Sequence, residues 1–223
     1  MTHSASALEL IQSVEQADSP SRLVAAVQAL AKARLEAGIP TLITVLGYNN
    51  PEAASAALDG LIQLGEAAVP LILEKLDDYN YGARAYSFRA LAAIADPRAL
   101  DVLVSAAETD FAPSVRRAAA KGLGNLRWLQ LPIEQRQIAQ QKAMQTLLLL
   151  VSDPEWAIRY AAVVGLQALA TSGAIDSPEL IEQILAQFAQ IAQTDSDLAI
   201  RARAAMAQEQ LKANSTQLTA LSY

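Results

Sequence analysis

The sequence predicts an all-α fold, an α-solenoid (superhelix) of about six HEAT-like helix pairs, and three observations carry that prediction. Apolar residues recur at three- and four-residue steps, as in "LVAAVQALAKARL" (23–35) and "IRYAAVVGLQALA" (158–170), the spacing of a helix with a buried face. The nine prolines each fall just ahead of such a segment, where a first helical turn tolerates a missing N–H. The segments also repeat. Leu30, Leu61, Leu91, Leu123 and Leu166, the leucines of "QAL", "DGL", "RAL", "KGL" and "VGL", follow one another at 31, 30, 32 and 43 residues.

Taken in order, the second helices of the pairs are expected near 20–36, 51–64, 82–95, 113–127, 154–171 and 196–213. An acidic or amide residue opens each one: Asp18, Asn49, Asp78, Asp110, Asp153 and Asp195. Ser19-Pro20, Asn50-Pro51, Asp96-Pro97, Asp153-Pro154 and Ser177-Pro178 join a capping residue to a first-turn proline. From the third repeat on, an arginine follows six residues after the opening acid, at Arg84, Arg116, Arg159 and Arg201. An arginine at a fixed place in a solenoid commonly bonds to the acid or carbonyl of the next repeat, building a ladder. Paired helices at this period are the signature of HEAT repeats. Gln208 stands where the neighbouring repeats have leucine, as expected of a solvent-facing end. Residues 1–213 thus read as a single solenoid and 214–223 as a flexible tail.

Composition excludes several kinds of chemistry. There is no cysteine, so disulfides, thiolate nucleophiles and thiolate metal sites are all absent. The one histidine, His3, lies near the N-terminus, which excludes histidine-based triads and multi-histidine metal sites. A net charge of −6 argues against a general nucleic-acid binder, which needs clustered cations. No run approaches the ~18 apolar residues that cross a bilayer, and "MTHSASALELIQ" carries no secretory signal. "GLGN" (122–125) is too short for a nucleotide fingerprint and reads as a helix end.

The chemistry-bearing stretch is "DDYNYGARAYSFRAL" (77–91), which holds four of the 11 aromatic residues. Tyr86 and Arg89, three apart, share a helix face, whereas Ala85, Phe88 and Ala92 share another, and Phe88 reads as core. Two readings stay open here. The tyrosines and arginines are packing and turn caps, or they hold a planar conjugated ligand bearing carboxylates, with rings stacked and guanidinium groups clamping the acids. Arg89, Arg117 and Arg127 lie off the ladder position and are freer to face such a ligand. Trp128, Trp156 and Tyr160 form a second aromatic locality, which interface or core packing explains equally well.

The run "LDDYNYGARAYSFRALAAIADPRALDVLVSAAETDFAPSVRRAAAKGLGNLRW" (76–128) resembles the HEAT-repeat phycobilin lyases of the E/F type. "TLITVLGYNNPEAASAALDGLIQLG" (41–65) and "SDPEWAIRYAAVVGLQAL" (152–169) extend the likeness over nearly the whole chain, and its short length is similar to that of the smaller, F-type subunits. The resemblance implies a subunit of a heterodimer with a larger E-type partner. That heterodimer attaches phycocyanobilin to a cysteine of the phycocyanin α subunit. The acceptor supplies the thiolate, so the lyase needs no nucleophile and works by holding and presenting the bilin. No cofactor is then permanently bound, because phycocyanobilin passes through as substrate. Implied propionate contacts are Arg84, Arg89, Arg116 and Arg117, and implied stacking or hydrogen-bonding residues are Tyr79, Tyr81 and Tyr86. Asp78 or Asp110 would protonate or orient the pyrrole nitrogens. The implied location is cytoplasmic, with phycobilisome assembly near thylakoids. Relatives that also isomerise the bilin carry a Cys-and-His motif, which is missing here, so a plain lyase is favoured. The competing reading is a non-catalytic phycobilisome-binding adaptor or degradation factor of the same HEAT family.

Overall fold

Prolines and short capping side chains set where the helices begin. The computed structural model describes residues 6–76, 80–172 and 177–220, with side chains up to 213. Its helices are α1 (Ala7–Glu15), α2 (Pro20–Ala33), α3 (Ile39–Val45), α4 (Pro51–Leu64), α5 (Val69–Glu74), α6 (Tyr81–Ile94), α7 (Leu100–Thr109), α8 (Pro113–Asn125), α9 (Ile133–Leu150), α10 (Trp156–Thr171), α11 (Pro178–Thr194) and α12 (Leu198–Ala220). No strand occurs among the described residues. Pro20, Pro51, Pro113 and Pro178 each occupy the first position of a helix, as the sequence predicted. The described backbone stays helical past Asn214, to Ala220.

The chain divides into two compact units, Met1–Ala99 and Leu100–Tyr223. Each holds three helix pairs. In the first unit α2 packs on α4 and α4 on α6, backed by α1, α3 and α5. In the second, α8 packs on α10 and α10 on α12, backed by α7, α9 and α11. This is the stacked-hairpin arrangement of an α-solenoid. The leucine column is its core: Leu30, Leu61, Leu91, Leu123 and Leu166 are at most 1% exposed. Burying each such side chain stabilises by about 2 kcal/mol. Phe88 is buried with them.

Neighbouring second helices approach through small residues. A Cβ on Gly60 of α4 would lie 2.7 Å from the Ala31 Cβ of α2. One on Gly124 of α8 would lie 2.1 Å from the Gly165 carbonyl oxygen of α10. The segment "GLGN" is therefore the last turn of α8, as read, but its second glycine serves a helix crossing rather than a cap.

Helix starts differ from expectation in an instructive way. Ser19 and Asn50, the capping residues of the Ser-Pro and Asn-Pro pairs, cap α2 and α4 in place of the neighbouring Asp18 and Asn49, and Asn80 caps α6, accepting from Arg22 N at 3.4 Å, Ala53 N at 3.0 Å and Ala83 N at 3.0 Å. Asp78 itself lies outside the described residues. In the second unit the acid acts two residues further upstream. Asp110, Asp153 and Asp195 accept from the N–H groups of Ala112, Glu155 and Asp197 at 2.8–2.9 Å. These turns delay α10 and α12 to Trp156 and Leu198, two residues later than the repeat spacing suggests.

The arginine ladder is present in the second unit. Arg116 pairs with Asp153, and Arg159 pairs with Asp195 at 2.9 and 3.0 Å. Arg201 donates to the Asp195 carbonyl at 2.8 Å. Gln208 departs from expectation. It is half-buried and donates from Nε2 to the Leu185 carbonyl of α11 at 3.3 Å, so the polar side chain is satisfied inward rather than by solvent.

Candidate functional site

Helix α6 carries the largest share of the candidate residues, and its two faces separate them. At about 100° per residue, Ala83, Arg84, Ser87, Phe88, Ala90, Leu91 and Ile94 form the buried side. The opposite arc holds Tyr81, Ala85, Tyr86, Arg89 and Ala93. Tyr81, 61% exposed, is the first residue of the helix. Arg89 is exposed and its guanidinium carbon sits 5.1 Å from the centre of the half-buried Tyr86 ring. That is a cation–π pair, worth about 0.5–1 kcal/mol at an exposed site. Beside the tyrosines this arc is low, with Gly82 and Ala85 between them and Ala93 two turns beyond Tyr86. An aromatic rail, an alanine floor and one raised cation make a ledge suited to a flat ligand with an acidic arm.

Asn80 holds this ledge in place. Its Oδ1 caps α6, while its Nδ2 donates to the Gly47 carbonyl at 3.2 Å, binding the helix start to the turn after α3. At the far end, Arg98 donates to both Asp96 oxygens, at 2.6 and 2.9 Å, and to the Glu66 carbonyl at 2.9 Å. The ledge is thus pinned at both ends by polar bonds to its own unit.

The other candidates stand apart. Arg84 is 6% exposed and bonded within the structure, about 140° around α6 from Arg89. Tyr79 lies outside the described residues, as Asp78 does. In the second unit, Arg116 spends Nε on the Ala107 carbonyl at 3.2 Å and Nη2 on Asp153, which makes it a ladder residue. Arg117, the next residue, is exposed on α8. Asp110 is half-buried and engages the start of α8 through Oδ1. Of the second aromatic locality, Trp128 is buried, Tyr160 is half-buried and Trp156 is 54% exposed. Among the described residues, no cluster of His, Cys, Asp or Glu could hold a metal ion, and no helix is long and apolar enough to cross a membrane.

The sequence reading passed over two features. A groove of about 360 Å³ runs along α2 and α4, lined by Gln28, Lys32, Ser55, Asp59 and Gln63 among others. Phe111, at the turn before α8, is 74% exposed. The leucine column would have located the groove, since Gln28, Asp59 and Arg89 each stand two residues before a column leucine.

Comparison with known proteins converges on one group. A family model of HEAT repeats matches residues 69–134. The chain is 58% identical over 202 residues to a phycocyanobilin lyase subunit beta of Nostoc sp., covering 91% of this chain and 98% of the relative. The chain belongs to the phycocyanobilin lyase β-subunit family. It is also 58% identical over 161 residues to the phycocyanin alpha phycocyanobilin lyase CpcF of Synechocystis sp., covering 72% of this chain and 75% of that one. A chain in the solved complex of CpcE and CpcF of phycocyanin lyase from Nostoc sp. superposes with a TM-score of 0.72 at 59% identity, covering 77% of this chain and 98% of that one.

Proposed function

We propose that this β subunit works with a larger E-type subunit to attach phycocyanobilin to a cysteine of the phycocyanin α subunit. The single observation that carries the site is the exposed Arg89 paired with the half-buried Tyr86 ring on the arc that holds Ala85 and Ala93. The bilin lies flat against that floor, Tyr81 and Tyr86 face its rings, and Arg89 binds a propionate. The acceptor's thiolate forms a carbon–sulfur bond at the bilin ethylidene group, and the displaced electron pair enters the tetrapyrrole, which takes up a proton. This chain supplies neither the sulfur nor a metal. It fixes the reacting face, which is catalysis by orientation. Among the cations named from the sequence, Arg89, Arg117 and Arg127 are exposed, whereas Arg84 and Arg116 serve packing and the ladder. With neither cysteine nor an internal histidine, the reaction stops at addition without isomerising the bilin.

The test is reconstitution from this chain, the larger subunit, phycocyanobilin and apo-acceptor, followed by denaturation in acid. The expected result is an acid-stable, zinc-fluorescent acceptor band. Arg89→Gln and Tyr81→Leu should each lower bilin retention by the complex several-fold with helicity unchanged. No band at all would favour a non-catalytic phycobilisome adaptor, and unchanged retention and transfer in both variants would remove the ledge from the reaction.

A further inference from the structure

We propose that the bilin extends from the α6 ledge onto the α2–α4 groove, where Asp59 is the counter-ion to its ring nitrogens and Lys32 binds its second carboxylate. The inference rests on the function proposed above and adds to it the groove's role. Three observations carry it.

The first is register. Leu30, Leu61 and Leu91 occupy equivalent places in α2, α4 and α6, so Gln28, Asp59 and Arg89 form a row, one per helix, across the exposed face of a single unit. Each of the three is exposed. Packed helices lie about 8–10 Å apart, so a ligand lying across them meets Arg89, then Asp59, then α2. A conjugated chain of several rings reaches across such a row, and a small anion does not.

The second is the lining. The groove measures about 360 Å³, within the size range of small-molecule sites. Ala31 and Ala56 give it an apolar floor; Gln28, Ser55 and Gln63 give it neutral polar walls; Lys32, Glu52 and Asp59 are its charged groups. One cation among two carboxylates is a poor site for a phosphate or a simple dicarboxylate. It suits a ligand that carries acidic arms and, between them, an array of N–H donors that becomes cationic when protonated. An open-chain tetrapyrrole diacid is that kind of ligand. Its inner nitrogens meet the carboxylate of Asp59, and its carboxylates meet Lys32 and Arg89.

The third is how the wall is held. Arg34, just past the end of α2, donates from Nε to Gln63 Oε1 of α4 at 3.0 Å. This bridge fixes Gln63 beside the groove and ties the two helices at its far end. Asp59 is not part of that bridge and lines the groove one helical turn before Gln63.

The experiment uses the heterodimer with phycocyanobilin and no acceptor. Visible absorption reports the fraction of bilin bound as the protonated, red-shifted chromophore, and gel filtration reports retention. Asp59→Asn removes the counter-ion with little change in size. It should lower the protonated band at neutral pH more than it lowers retention. Lys32→Met should lower retention roughly two- to five-fold, the scale of an exposed ion pair, and leave the band shape unchanged. Arg89→Gln serves as the reference for the ledge. If Arg89→Gln weakens retention while Asp59→Asn and Lys32→Met change neither quantity, the groove proposal is overturned and the ledge stands. If all three variants behave as the unaltered protein does, both are overturned. An equal loss of band and retention in Asp59→Asn also overturns the counter-ion role.

Discussion

Arg159 reaches from α10 to the segment before α12 and holds both carboxylate oxygens of Asp195, from Nε at 2.9 Å and from Nη2 at 3.0 Å. Both side chains are largely buried, at 12% and 6% exposure. The guanidinium hydrogen bonds hold the Asp195 carboxyl below the usual aspartate range, and Asp195 in turn raises Arg159.

Removing one partner leaves the other charge buried and uncompensated. Arg159→Met should therefore destabilise by about 3 kcal/mol, lowering the thermal midpoint by roughly 10 °C. The pH dependence has a definite sign. Because the folded carboxyl is depressed, the stability it contributes is complete above the unfolded aspartate value, about 3.9. It is lost as pH falls through the lower folded value. Asp195→Asn should flatten that acid limb. Melting curves at a series of pH values check both variants, and an unchanged acid limb in Asp195→Asn would remove this pair as its source.

A second prediction concerns the crossing of α8 and α10. A Cβ on Gly124 would sit 2.1 Å from the Gly165 oxygen, and one on Gly165 would sit 2.5 Å from the Ala120 oxygen. Both obstacles are backbone, so the helices must separate. Gly124→Ala should cost about 3 kcal/mol, the reverse of the gain that Gly→Ala gives in an unobstructed helix. The double variant should cost less than the sum, since the first methyl already parts the helices. Denaturant midpoints measure all three.

A third concerns Asn80. Asn80→Ala removes the α6 cap and the bond to Gly47, and should destabilise by about 1–2 kcal/mol. Asn80→Asp keeps an oxygen for Ala83 N but loses the donor to the Gly47 carbonyl, and should fall between. Because this residue seats the start of the ledge, bilin retention by the heterodimer should decline in the same order. Equal retention in all three proteins would uncouple the cap from the ligand.

Much of this was legible from spacing alone. Prolines marked helix starts because a ring without an N–H is tolerated in so few places. The column leucines showed the core because their period is that of the stack. The Tyr86–Arg89 contact followed from a three-residue separation on a helix. What spacing does not carry is competition for a side chain. Spacing sets Arg116 on the ladder position and Arg89 off it, yet both stay candidates for a ligand carboxylate. Only the fold brings Asp153, 37 residues away, to the first and leaves the second exposed. Gly124 and Gly165 likewise show their purpose only once two helices cross. Asp59 escaped notice because one acid on a helix surface is ordinary until its neighbours in the row are identified.

The Asp–Arg rungs of the second unit also set how that unit comes apart. Each rung fastens a hairpin to the one after it, from Arg116 to Asp153 and from Arg159 to Asp195, while Arg201 turns back on its own hairpin. Hairpins α7–α8 and α11–α12 are thus each fastened by one of these rungs, and α9–α10 by both. Opening an outer hairpin breaks one rung, whereas opening the middle hairpin breaks two, so the unit comes apart from its outer hairpins and α9–α10 is the last to loosen.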